Sequence, residues 1–140
     1  MAENLKTTRY ANGEEIRLVE NGTDWNNLGY NDEAFGYYDN SLSNKDIYGA
    51  LYTWAAAMNG AESSNFSIQG VCPDGWHLPS DDEWIELIGY VQKDGYSDND
   101  GDALKSRTGW NENSGFDFYA FNALPAGIIY NDAYFSYYLF

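Results

Sequence analysis

Cys72 and His77 are the chain's one cysteine and one histidine. A thiol near an imidazole is the pairing that nucleophilic catalysis uses, because a thiolate needs a neighbouring base or cation to form at neutral pH. No further base or orienting group stands with them in the sequence. Cys72 is therefore read as a structural thiol and His77 as a residue packing beside Trp76. Asp98-Asn99-Asp100-Gly101-Asp102 offers the clustered oxygens that hard cations take. The EF-hand template fails on it. With Gly101 at the glycine position of the loop, Tyr96 falls first and Arg107 last, where Asp and Glu are required. The segment is read as a solvated turn, with a looser calcium loop as the alternative. No tight metal site and no cofactor are expected. Asp81, Asp82 and Glu83 have the chemistry of catalytic carboxylates, but they fall where a helix would use them in its first turn.

The stronger candidates are aromatic. Trp25, Trp54, Trp76, Trp84 and Trp110 could each lie flat on a sugar ring. Trp54 and Trp84 fall on apolar stripes of predicted helices and are assigned to the core, whereas Trp25 and Trp110 fall in predicted loops. The stretch from Gly127 to Phe140 holds Tyr130, Tyr134, Tyr137 and Tyr138 together with Asn131, Asp132 and Ser136. Tyr, Asn and Ser are the residues of adaptable binding surfaces. The alternative for this stretch is a plain pair of aromatic strands. The candidate ligand-binding set is Trp110, Tyr130, Asn131, Asp132, Tyr134 and Tyr137.

The elements that must position these residues are readable in part. Glu15-Ile16-Arg17-Leu18-Val19 alternates polar and apolar, as a strand with one wet face does, and Asn21-Gly22 ends it. Asp24 to Asn44 reads as ordered loop with a short strand near Phe35-Gly36-Tyr37-Tyr38. Ile47, Leu51, Trp54, Ala55 and Met58 share a helical face, which predicts a helix over 46–58 stopped by Asn59-Gly60. Ser80-Asp81-Asp82-Glu83 is a capping box with acids suited to the positive end of a helix dipole. Trp84, Leu87, Ile88 and Val91 follow as one stripe predicted to be buried. Asp94 to Asp102 reads as turn, and Ala103 to Arg107 as one helical turn. Strands are predicted at Tyr119–Ala123, Gly127–Tyr130 and Ala133–Phe140, the last two joined by a two-residue turn at Asn131-Asp132. That order predicts an α+β domain with two helices, a small and mainly antiparallel sheet, and long ordered loops.

The chain has 140 residues, which suits one domain. Its 7 basic and 22 acidic residues give a net charge of −15. Such a surface repels phosphate backbones and anionic lipid, so neither nucleic acid nor membrane insertion is expected. No apolar run approaches the roughly 18 residues of a membrane helix. Met1–Lys6 lacks the apolar stretch of an export signal, which would have to precede it.

Five motifs in fixed order resemble a known family. Asn4-Leu5-Lys6-Thr7-Thr8-Arg9-Tyr10 with Asn12-Gly13 comes first, then Tyr48-Gly49-Ala50-Leu51-Tyr52-Thr53-Trp54-Ala55. The strongest is Val71-Cys72-Pro73-Asp74-Gly75-Trp76-His77-Leu78-Pro79-Ser80 leading to Glu83-Trp84. Leu104-Lys105-Ser106 with Gly109-Trp110, and Phe121-Asn122-Ala123-Leu124-Pro125-Ala126-Gly127, complete the series. Together they resemble the Fibrobacter succinogenes major paralogous domain family. The resemblance implies a C-type-lectin-like fold and exported or lipid-anchored proteins of Bacteroidetes and Fibrobacteres, usually without an assigned activity.

The helix start at Leu78-Pro79-Ser80 is also similar to relatives of the formylglycine-generating enzymes. Those work through a cysteine pair, which one cysteine cannot supply. Relatives carry a strand before the position of Met1 and a terminal strand after that of Phe140. The resemblance therefore implies a domain lacking its first and last strands, with Ala133–Phe140 left as an unpaired, aggregation-prone edge. Relatives often hold a cysteine at the position of Gly36, so Cys72 stands without the partners it has there. The expectation is a non-enzymatic recognition module at the cell surface or outside the cell, with a glycan or protein ligand. The competing expectations are a structural or interaction domain of a larger envelope protein, and an enzyme of the formylglycine-generating type.

Overall fold

Frequent Gly and Asn cut this sequence into short elements, from two residues to eleven. The computed structural model describes residues 3–62, 67–111 and 114–129, and the backbone of 135–136. The chain is α+β and divides into two compact units, Leu5–Leu78 with Ala126–Phe140, and Met1–Asn4 with Pro79–Pro125. Five α-helices lie among the described residues, not two, and the three-stranded sheet is mixed instead of mainly antiparallel. The extra helices are Gly22–Asn26 and Asp100–Leu104, short turns in loop-like sequence, and the two pieces of a broken longer helix, and the sheet is mixed because its first two strands run parallel.

In the first unit, β1 (Arg17–Leu18) pairs parallel with β2 (Ala34–Gly36), which pairs antiparallel with β3 (Leu51–Tyr52). All three residues of β2 are buried, as befits a central strand. Phe35 is the hub, edge-on to Tyr37 at 5.6 Å and tilted against Tyr52 at 6.0 Å. Tyr10, Ile16, Ala56 and Val71 complete this cluster. Ile16 and Val19 are buried while Leu18 is exposed, because the ladder of β1 lasts two residues and ends before the alternation is completed. A second ladder pairs β4 (Ile128–Ile129) with β5 (Phe135–Ser136), antiparallel as predicted. Ile129 faces Phe135; a two-residue turn at Asn131-Asp132 would have paired it with Tyr134, so the register is displaced by one residue.

The helix expected over 46–58 is instead α2 (Lys45–Tyr48), β3 and α3 (Trp54–Met58). Gly49 adopts φ 73°, ψ −156°, a conformation closed to side-chain-bearing residues, and it ends α2. Thr53 restarts the helix as an extended N-cap. The apolar positions therefore do not share one face: Met58 is buried, whereas Ile47 and Trp54 are exposed. Asn59 in the left-handed region stops α3, as the Asn-Gly pair predicts. Ahead of β2, α1 (Gly22–Asn26) begins at Asn21, whose side chain accepts from the Asp24 amide.

In the second unit, α4 (Asp81–Val91) starts where the sequence places it. The Glu83 amide donates to Ser80 Oγ at 3.3 Å and the Ser80 amide donates to Glu83 Oε2 at 2.8 Å. Ser80→Ala is expected to lower stability by about 1 kcal/mol. Urea titration measures it, and Ser80→Asp should recover most of the loss. The buried stripe is only partly observed. Val91 is fully buried and Leu87 half-buried, but Ile88 is more than a third exposed and Trp84 is 42% exposed. A stripe is buried only where another element lies over it, and at Trp84 the described aromatic neighbour is Phe121, its ring centroid 6.4 Å away. A π-helical turn over Gln92–Tyr96 leads to α5 (Asp100–Leu104), one turn earlier than predicted. The strand expected at Tyr119–Ala123 is a turn ending in a single bridge from Ala123 to Lys105, since Asp117, Ala120 and Asn122 have positive φ.

Candidate functional site

Two segments of the first unit face each other across an open groove of about 390 Å³. One wall is the loop entering β2, carrying Tyr30, Asn31 and Glu33; the other is α3, carrying Trp54, Ala55 and Met58, with Gly60 and Ala61 closing its end. The loop is shaped by Asp32, whose Oδ2 accepts from the Gly29 amide at 2.6 Å while its own amide donates to the Gly29 carbonyl at 3.1 Å. That tight turn leaves Tyr30 at its tip, 83% exposed. Trp54 occupies the first position of α3, where the residue is 60% exposed.

Thr53 joins the two walls. Its hydroxyl donates to the Asp32 carbonyl at 2.8 Å and accepts from the amides of Ala34 at 3.1 Å and Ala56 at 3.2 Å. A hydroxyl has one proton and two lone pairs, so every hydrogen-bonding capacity of this side chain is used. The Thr53 amide also donates to the Ala34 carbonyl at 2.9 Å. One residue thus caps α3, anchors the start of β2 and holds the loop.

Glu33 is fixed from beneath. Tyr10 donates its phenol to Glu33 Oε2 at 2.7 Å. Burial first, and then the hydrogen bond and charge of Glu33, push the Tyr10 phenol far above its ordinary value. Tyr10 therefore remains a protonated donor at any physiological pH. Among the described residues Glu33 has no basic partner. The groove thus combines two exposed aromatic faces, an amide, a carboxylate and an apolar floor.

The candidates named from sequence are placed differently. Trp110 is half-buried; its indole N–H donates to Ser106 Oγ at 3.1 Å, and Lys105 Nζ lies 5.1 Å from its ring centroid. Its ring is thus engaged within its own unit. Tyr130, Asn131, Asp132, Tyr134 and Tyr137 lie outside the described residues. Trp25 is in α1 and not in a loop, its ring 3.4 Å from where a β-carbon on Gly36 would sit. Trp54, assigned to the core from its spacing, is the exposed wall of the groove. Tyr30, Asn31 and Glu33 lie in a stretch whose sequence reads only as loop, and the signal that points to them is the Gly29–Asp32 turn with an aromatic at its tip.

Cys72 is half-buried, and burial pushes its thiol up. That is the direction opposite to the one a nucleophilic thiolate needs. Asp100 accepts from Gln92 Nε2 at 3.0 Å and from the Gly101 amide at 2.8 Å, and Asp102 pairs with Lys105 Nζ at 2.9 Å. Among the described residues no three His, Cys, Asp or Glu side chains are grouped to hold a metal ion, and no helix is long and apolar enough to cross a membrane.

No curated protein and no solved structure gives a significant match to this sequence. One family model matches the sequence along its whole length, the motif series included. From residue 1 to residue 140 the chain belongs to the Fibrobacter succinogenes major domain family.

Proposed function

We propose that this chain is a non-catalytic recognition module, exported to the cell surface, that binds a glycan in the groove between α3 and the Tyr30–Glu33 loop. The observation that carries the reading is the exposed Trp54 ring beside Asn31 and Glu33. An exposed indole beside polar side chains offers a flat stacking face with hydrogen-bonding groups at its edge. Sugars have one apolar face that suits such a ring and hydroxyls that suit a carboxylate and an amide. The C-type-lectin-like fold that the family resemblance implies would agree with this reading, since that architecture carries ligand surfaces on long ordered loops.

Trp54→Ala is expected to weaken glycan binding about tenfold or more, or ~1.4 kcal/mol. Its melting temperature should stay close to that of the parent chain, because the ring is mostly exposed. A glycan array followed by calorimetry on the retained sugars is the measurement. Retention of no glycan, or equal affinity in Trp54→Ala, would show the reading to be wrong.

A second reading, an interaction domain of a larger envelope protein, draws on the other unit. There Phe116 stacks on Phe118 at 5.1 Å and Phe118 on Tyr96 at 4.9 Å, with Phe116, Phe118 and Tyr90 exposed. Exposed contiguous rings of this kind favour a protein contact.

A further inference from the structure

We infer that the groove prefers a sugar bearing a free amino group, a deacetylated hexosamine unit, over neutral and anionic sugars. The inference rests on the glycan reading above and adds the chemical class. Three observations lead to it. Of the described residues lining the groove, Glu33 alone carries a charge, and no Lys, Arg or His is among them. Among the described residues its carboxylate has no basic partner, although the side chain is tethered through Oε2 to Tyr10. The charge is therefore fixed in place and not neutralised from within the protein. The aromatic faces of Trp54 and Tyr30 stand beside it, both largely exposed.

Each sugar class meets this arrangement differently. A uronate or sulfated sugar brings a negative charge toward Glu33 and toward a chain of net charge −15, and finds no cation to receive it. A neutral sugar gains the aromatic stack and hydrogen bonds to Glu33 and Asn31. A protonated hexosamine gains these and also a charge-assisted hydrogen bond to the carboxylate and the attraction of a cation for an aromatic face. Because Tyr10 stays neutral, it orients Glu33 without discharging it. Asn31 and the flat Trp54 face add an amide and a stacking surface suited to a pyranose, which a simple lysine side chain would leave unused.

Calorimetry with the intact chain tests this on four oligosaccharides of equal length: glucosamine, N-acetylglucosamine, glucose and galacturonate oligomers. A lysine oligopeptide is the control for charge alone. The glucosamine oligomer is expected to bind about tenfold more tightly than its N-acetylated counterpart at low salt, with the ratio shrinking as salt is added. Glu33→Gln, which keeps an oxygen for Tyr10 to donate to, should bring that ratio to about one while the melting temperature is held. The inference is overturned if the N-acetylated oligomer binds as tightly as the free amine. It is equally overturned if Glu33→Gln keeps the preference, or if the lysine peptide matches the glucosamine oligomer. Binding of neutral oligomers without amine preference sinks this inference and leaves the glycan reading standing; failure of every oligomer to bind sinks both.

Discussion

Gly70→Ala is expected to destabilise the chain by about 3 kcal/mol or more. Gly70 sits at φ 53°, and a β-carbon there would run into the backbone carbonyl oxygen of Ala57 and come within 3.0 Å of Leu78 Cδ1. The carbonyl cannot give way cheaply. It accepts from the Val71 amide at 3.0 Å, and Val71 is in the core. Two effects add: overpacking against backbone, typically about 1–3 kcal/mol and at its upper end here because the clash is with a carbonyl oxygen, and left-handed backbone on a residue with a β-carbon, about 1–2 kcal/mol. Gly75→Ala separates them. Gly75 is at φ 81° with open space around its α-carbon, so its substitution should cost only the backbone part. Urea unfolding of the two variants gives the comparison, and equal losses would show that the 70–71 segment does not press on α3.

Thr53→Ala is expected to cost about 2–3 kcal/mol, well above the ~1 kcal/mol of an ordinary N-cap. The excess arises because the amides of Ala34 and Ala56, both fully buried residues, lose their acceptor together, and a buried donor left unpaired costs about 1–3 kcal/mol. Thr53→Ser should recover most of the loss, and Thr53→Val, which keeps the shape without the hydroxyl, should not. A loss below about 0.5 kcal/mol in Thr53→Ala would mean that the shared hydroxyl does not organise this region. The same variant should lower ligand affinity, since it releases the loop that carries Tyr30.

What could be read in the sequence and what could not divides along physical lines. The capping box of α4 is a contact among four neighbouring residues, so Ser80 and Glu83 announce it. Asn59 stopping α3 is equally local. The break at Gly49 is not visible in the spacing of Ile47, Leu51, Trp54 and Met58, because a helical period in the sequence is satisfied equally by two short helices with a strand between them. Tyr119–Ala123 carries strand-forming residues, yet positive φ at Asp117, Ala120 and Asn122 overrides that preference. The groove was hidden for a different reason. Glu33 and Trp54 line one groove because the β2–β3 pairing and the Thr53 hydrogen bonds bring their segments together, and no pattern along the chain records that pairing. Family membership, by contrast, rests on residue identity in ordered motifs and is legible without any geometry.

The arrangement around Thr53 separates frame from surface. Among the described residues the bonds that shape the groove are made by backbone, by Thr53, by Asp32 and by the Tyr10–Glu33 pair, and no side-chain hydrogen bond of Tyr30, Asn31 or Trp54 is among them. Side chains at those three positions can therefore be exchanged with little penalty to folding, while the span between them stays fixed. A site assembled before its ligand arrives loses little freedom on binding. The fold can thus present different chemistries from one unchanging mount, with a new specificity requiring only new residues at a few exposed positions.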